Sequence, residues 1–129
     1  MSIKHSLLEQ AETAFSHAYA PYSNFRVGAA VLTRDGHVYT GCNVENISYG
    51  LTSCAERNAI FSAISQRGKI DIEAIAVVTE SSVGGTPCGA CRQVISEFGP
   101  KAIIYYKVHG ETRETSMDQL LPAAFNDLG

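Results

Sequence analysis

The six residues Val27-Gly-Ala-Ala-Val-Leu32 carry no polar side chain. Drawn out as a strand, this run is apolar on both faces, which suits a buried central strand with a covering layer on each side. The flanking sequence offers those layers. Leu7, Leu8, Ala11, Ala14, Phe15 and Ala18 recur at steps of three and four, one face of a helix, which Pro21 and Tyr22-Ser23-Asn24 end. Asp35-Gly36 marks a hairpin whose return strand is Val38 to Asn43. Val44 to Ser53 reads as a loop. A second helix is expected from Cys54 to about Gln66, with Ala55, Ala59, Ile60, Ala63 and Ile64 inward and Gly68 as its stop. Ala74 to Thr79 is a strand and Ser81 to Thr86 a loop. Pro87 is placed to open a third helix that Gly99-Pro100 ends. Ala102 to Tyr106 is a strand, Thr112 to Ser116 a short edge strand, and Asp118 to Phe125 a short helix broken at Pro122. The expected fold is an α/β class, three-layer α/β/α sandwich on a mixed sheet of about five strands, with a right-handed central crossover between parallel strands.

Composition narrows the class. The 129 residues fit one domain, 1–129, and 45% hydrophobic with 18% charged residues suffices for a core. A net charge of −3 argues against nucleic-acid binding, which needs a basic surface. No apolar run approaches the roughly 20 residues of a membrane span, and Met1-Ser-Ile-Lys-His5 lacks the apolar stretch of a secretory signal. A cytoplasmic location is expected. In that compartment the four cysteines point to metal binding or catalysis rather than to disulfides.

Two motifs open the second and third helices, Cys54-Ala-Glu-Arg57 and Pro87-Cys-Gly-Ala-Cys-Arg92. Cys88 and Cys91, three apart, share a face of the first helical turn. Cys54 can reach the same ion if both helices start at one end of the sheet. Three protein ligands leave a tetrahedral position open, the pattern of a catalytic zinc rather than a structural one. Helix N-termini favour the thiolate form that binds metal. Glu56, two residues after Cys54, is held near the ion as a proton shuttle. Three thiolates on a divalent zinc leave one excess negative charge, which Arg57, or Arg92, would offset.

Blander readings stand beside these. Ser53-Cys-Ala-Glu56 also fits a capping box, in which Glu56 caps its own helix. Cys42 would complete a closed four-cysteine site, although a small buried residue in a strand is the simpler role for it. His5, His17, His37 and His109 lie scattered in polar context and carry no assigned role.

The paired motifs match the all-cysteine form of the zinc deaminase signature. Over almost its whole length the chain resembles the small cytidine deaminases. The resemblance rests on Tyr22-Ser-Asn-Phe25, Val27-Gly-Ala-Ala30, Gly41-Cys-Asn-Val-Glu-Asn46, Ser48-Tyr-Gly50, Cys54-Ala-Glu-Arg57, Pro87-Cys-Gly-Ala-Cys-Arg-Gln93 and Leu120-Leu-Pro122 with Phe125. It implies one zinc per chain on Cys54, Cys88 and Cys91, and Glu56 moving protons between water, the ring nitrogen and departing ammonia. It implies Asn43 and Glu45 on the ribose, Phe25 against the base, and backbone groups of Ala55 and Thr86 on the ring oxygen and amino group. It further implies a homotetramer whose sites borrow aromatics across interfaces, at Tyr49 and Phe125. The implied reaction is zinc-dependent hydrolytic deamination of cytidine and deoxycytidine, a step of pyrimidine salvage. The alternatives are another aminopyrimidine nucleoside, such as blasticidin S or a modified cytidine, a structural zinc or redox protein, and a polynucleotide editor, which the acidic balance disfavours. Ser53 and Asn58 depart from the residues frequent beside the first motif, and Ala123-Ala124 precedes Phe125 where Gly-Ala-Phe is common.

Overall fold

The computed structural model describes residues 2–80 and 84–128. Helix α1 spans Ile3–Phe15 and is followed by strands β1, Val27–Thr33, and β2, Val38–Cys42. A 3₁₀ turn covers Tyr49–Leu51. Then come α2, Ala55–Arg67; β3, Ile72–Thr79; α3, Gly89–Phe98; β4, Ile103–Val108; β5, Glu111–Ser116; and α4, Met117–Leu120. The strands form one sheet in the order β2-β1-β3-β4-β5. Only β3 and β4 pair parallel; the other neighbours are antiparallel.

The apolar run at β1 explains this arrangement. Its residues Ala29 to Val31 are fully buried between β2 and β3. Alternation along the strand sends Ala30 and Leu32 to one face, where Leu7, Leu8 and Ala11 of α1 pack on them with Ala74 and Ala76 of β3. Val31 goes to the other face, into a core with Ala59, Ile60 and Ala63 of α2, Cys91 and Ile95 of α3, and Ile75, Val77, Ile104 and Met117. This is the expected α/β/α sandwich, with helices on both sides of a mixed five-stranded sheet. Because β2 and β3 are both antiparallel to β1, they run parallel to each other. The chain leaves their carboxyl ends at the same side of the sheet, and those exits lead to α2 and α3.

Close approach of α2 to β2 depends on Gly41. A methyl group there would lie 2.5 Å from the Ala59 nitrogen and 2.6 Å from the Ala55 oxygen. Backbone on both sides leaves it no room, so the start of α2 sits directly on the strand.

The structure differs from the sequence reading at several places: β2 stops at Cys42 rather than Asn43, β3 starts at Ile72 rather than Ala74, β4 is Ile103–Val108 rather than Ala102 to Tyr106, and β5 starts at Glu111 rather than Thr112. Helix α1 stops at Phe15 rather than running on toward Pro21, because Tyr19 spends its backbone on a bridge: its N–H donates to the Asn43 oxygen and its oxygen accepts from Glu45 N–H. Helix α3 begins at Gly89, with Cys88 as its extended N-cap and Pro87 outside it, so Pro87 is not the first helical residue. The expected loop after β2 contains the 3₁₀ turn and a bridge between Val44 and Ser53. The last helix is one turn, Met117–Leu120, since Pro122 has no N–H to continue it and Ala123 adopts φ 54°. Of the expected loop Ser81 to Thr86, residues 81–83 lie outside the described residues.

Gly41→Ala is expected to destabilise the fold by about 1–3 kcal/mol through overpacking against the α2 backbone. Urea unfolding checks this; an unchanged midpoint would mean that the helix is not seated by this contact.

Candidate active site

Cys54 is the N-cap of α2 and Cys88 the N-cap of α3; neither side chain caps its helix. Both are extended residues at the ends of loops, so their thiols are free to turn toward each other. Their sulfurs are 3.9 Å apart, and the three sulfurs of Cys54, Cys88 and Cys91 all lie within 4.8 Å of one another. Tetrahedral Zn–S bonds of about 2.3 Å place ligand sulfurs roughly 3.8 Å apart, so this triad fits zinc with little movement. Cys91 is buried, Cys54 half-buried and Cys88 exposed, which leaves one side of the triad open.

Two of the three thiols, Cys54 and Cys91, are coupled through a shared hydrogen bond. Hydrogen bonding from Cys91, helped by the Arg57 guanidinium and by Cys88, draws the Cys54 thiol down to about 5 against its burial. Cys91, hydrogen-bonded to that thiolate and buried, is pushed strongly upward. A divalent cation resolves this competition by taking all three sulfurs as thiolates. Arg57 Nη2 donates to Cys54 Sγ at 3.1 Å, and the contacts with Cys54 and Cys91 raise the guanidinium pKa. Arg57 thus stands where the compensating charge was expected. Arg92 does not. Its hydrogen bonds go to the oxygens of Pro87, Leu120 and Thr86, because its fork reaches back over the loop before Cys88.

The capping box is not formed. The Ser53 N–H that would serve Glu56 donates instead to the Val44 oxygen at 3.0 Å, and Ser53 Oγ donates to Asn58 Oδ1 at 2.6 Å. Glu56 lies at the second residue of α2, only 4% exposed. Burial pushes its carboxyl up to about 7; its own backbone N–H and Arg57 oppose this, and the Cys54 thiolate adds to it. Such a group exchanges protons near neutral pH. Cys42 ends β2 opposite Gly28, outside the sulfur triad, and burial raises its thiol pKa. Among the described residues no fourth cysteine joins the triad.

A cavity of about 410 Å³, within the usual range for small-molecule sites, opens beside the triad. Cys54, Ala55, Glu56 and Cys88 form one wall, Phe25, Asn43 and Glu45 another, and Thr86 a third. Glu45 accepts from the N–H groups of Tyr22 and Ser23 at 3.0 and 3.1 Å and from the Ser23 hydroxyl, and these bonds hold its carboxyl below the usual range. Asn43 Oδ1 accepts from Val27 N–H at 2.8 Å while its Nδ2 donates to the Phe25 oxygen at 2.9 Å. Both side chains therefore brace the Tyr22–Val27 loop while facing the cavity. Tyr49 and Phe125 are outside this cavity, 75% and 65% exposed; Tyr49 meets the Tyr22 ring edge-on at 6.1 Å between centroids.

Sequence reasoning missed Val27 and Val77, which line the cavity from β1 and β3, and also Ser23, Thr52 and Thr79. Valines in strands carry no signal that separates lining from core. Gly84 did carry one. Its φ is +76°, and a methyl there would come 1.6 Å from the Lys107 oxygen, so only glycine lets this loop cross β4 to reach the cavity. Asn58 was also missed as a brace: its Nδ2 donates to the Cys42 oxygen at 2.7 Å, tying the start of α2 to the strand that leads to Asn43.

Comparison with known proteins accords with this geometry. The model of the cytidine and deoxycytidylate deaminase zinc-binding region matches residues 1–107. The cytidine deaminase of Halalkalibacterium halodurans is 49% identical over 121 residues, covering 92% of this chain and 91% of its own. The crystal structure of cytidine deaminase from Burkholderia pseudomallei superposes with a TM-score of 0.89 at 51% identity, over 97% of this chain and 100% of its own. That of Mycobacterium tuberculosis gives 0.85 at 41% identity, over 98% and 100%. The fold and the sulfur triad define a zinc-dependent deaminase architecture. The chain belongs to the cytidine and deoxycytidylate deaminase family.

Cys88→Ala is expected to lose zinc, while Cys42→Ala keeps one zinc per chain. Elemental analysis after dialysis checks both; the reverse pattern would place the metal on a different set of sulfurs.

Proposed function

We propose that this chain catalyses the hydrolytic deamination of cytidine and deoxycytidine to uridine and deoxyuridine, as one domain over residues 1–129, with one zinc held by Cys54, Cys88 and Cys91. The observation that carries this reading is the buried Glu56 beside the three sulfurs, on the wall of a cavity of about 410 Å³. When bound there, zinc supplies the Lewis acidity that makes water a competent nucleophile near neutral pH. Glu56 takes the proton of the attacking water and passes it to the ring nitrogen. It then takes the proton of the new hydroxyl and delivers it to the amine. The C–N bond breaks with its electron pair leaving on ammonia. Arg57 holds positive charge against the sulfurs, limiting the excess negative charge at the centre.

The rest of the cavity sets the substrate. Phe25 packs against the base, and backbone groups of Ala55 and Thr86 meet the ring oxygen and amino group. Asn43 and Glu45, fixed in place by the loop they brace, keep acceptor capacity for the 3′-hydroxyl. No Lys or Arg is among the described residues lining the cavity, and Glu45 carries negative charge there, which favours a nucleoside over a nucleotide. Ile47, Tyr49, Leu51 and Phe125 are exposed large apolar residues. A homotetramer covers them and brings Tyr49 and Phe125 to neighbouring sites. Its setting is the cytoplasm, in pyrimidine salvage. Among the described residues no helix is long and apolar enough to cross a membrane.

An ultraviolet assay of cytidine turnover, with and without chelator, tests the activity directly. Blasticidin S and modified cytidines run alongside decide between plain and altered nucleosides. Glu56→Gln is expected to keep zinc and lose turnover by at least the about 10²–10⁴-fold that general acid–base assistance contributes. Near-normal turnover in that variant contradicts the proton path.

Free cytosine is expected to be a far poorer substrate than cytidine, because it leaves the sugar-facing polar groups unpaired, at roughly 1–3 kcal/mol each where buried. Glu45→Ala should narrow that gap by weakening the nucleoside. Equal kcat/KM on cytosine and cytidine in the wild type overturns the sugar assignment.

A further inference from the structure

Arg92 directly follows Cys91 on α3, and its side chain makes three hydrogen bonds to oxygen. Nε donates to the Pro87 oxygen at 2.7 Å, Nη2 to Thr86 Oγ1 at 2.8 Å and Nη1 to the Leu120 oxygen at 3.0 Å. The first two acceptors belong to the loop that carries Cys88. The third ends α4. The next residue, Gln93, donates from Nε2 to the Phe125 oxygen at 3.0 Å. Two successive side chains of α3 therefore hold the segment 120–125, and one of them ties it to the cavity loop.

That loop needs an external hold. Residues 84–88 form neither helix nor strand, yet Gly84, Gly85, Thr86 and Cys88 line the cavity. Pro87 is fully buried and lacks an N–H, so its carbonyl is the polar backbone group that must find a partner. The planar guanidinium answers three acceptors spread along its edge; an ammonium is a single point and cannot span them.

We infer that Arg92 is a positioning residue that locks the cavity loop Gly84–Cys88 to the end of α4, so that the wall at Thr86 keeps its shape only while the segment after α4 is docked. The inference rests on the proposed deaminase reading for its kinetic consequence, but not for the coupling itself. A misplaced wall at Thr86 acts on the amino group that departs, so kcat carries the loss.

The test compares wild type, Arg92→Lys, Thr86→Val and the double variant, all zinc-loaded. Cytidine kinetics and amide hydrogen exchange at residues 84–88 and 117–125 are measured together. Arg92→Lys is expected to keep one zinc and to lower kcat/KM about 10–100-fold, mainly in kcat, the range for a small misplacement at a reacting centre. The pH of the rising limb is expected to stay put, and exchange to rise in both segments. Thr86→Val is expected to cost less in the Arg92→Lys background than alone, since both break one contact. Full activity per folded, zinc-loaded chain, additive losses, or a shifted pH profile with loss of zinc would each overturn the inference. Should Arg92→Lys fail to fold, Thr86→Val decides alone. Faster exchange at 117–125, which among the described residues its hydroxyl reaches through Arg92, supports the lock, and unchanged exchange there overturns it. Absence of cytidine turnover in the wild type would refute the deaminase reading, while the paired exchange response would still decide the coupling.

Discussion

Three sulfurs lie within 4.8 Å of one another, and two of them, Cys54 and Cys91, compete for a proton. Either Cys54 holds the charge while Cys91, hydrogen-bonded to it and buried, keeps its proton, or a cation takes the sulfurs as thiolates. The fold prepares the second state. Two strands running the same way deliver two loops to one side of the sheet, and each loop ends in an N-cap cysteine. The positive ends of those two helices, together with Arg57, favour the anionic form. The sheet topology, the helix starts and the arginine thus serve one electrostatic requirement.

The same geometry buries Glu56. It is buried because α2 is seated on β2 without room for a methyl at Gly41, and because Asn58 ties that helix to the Cys42 oxygen. A carboxyl in this position cannot escape to water, and its pKa rises to about 7 as a result. Glu45 and Asn43, which also line the cavity, hold the Tyr22–Val27 loop, so the segment that follows β2 shapes this cavity as well.

Much of this was legible in the residues. The run at β1 implied two covering layers, and the paired motifs at helix starts implied a triad rather than a lone Cys-x-x-Cys. The resemblance to small cytidine deaminases extended that reading to Phe25, Asn43 and Glu45, which do line the cavity. Three things were hidden, each for a physical reason. The end of α1 was set by a backbone bridge from Tyr19, a tertiary bond that no local periodicity signals. Both arginines after motif residues offered a compensating charge, with Arg57 the first choice, but only the course of the loop before Cys88 shows that Arg92 goes to carbonyl and hydroxyl oxygens instead. The capping box matched in sequence but lost its Ser53 N–H to Val44, since the loop pairs with itself before the helix begins.

Zinc-edge X-ray absorption of the purified, metal-loaded protein tests the central claim most directly. Three sulfur scatterers at about 2.3 Å and one lighter oxygen or nitrogen neighbour at about 2.0–2.2 Å are expected from a triad with an open position. Four sulfurs per zinc would contradict it, because the site would then be closed and Glu56 would have no water to serve.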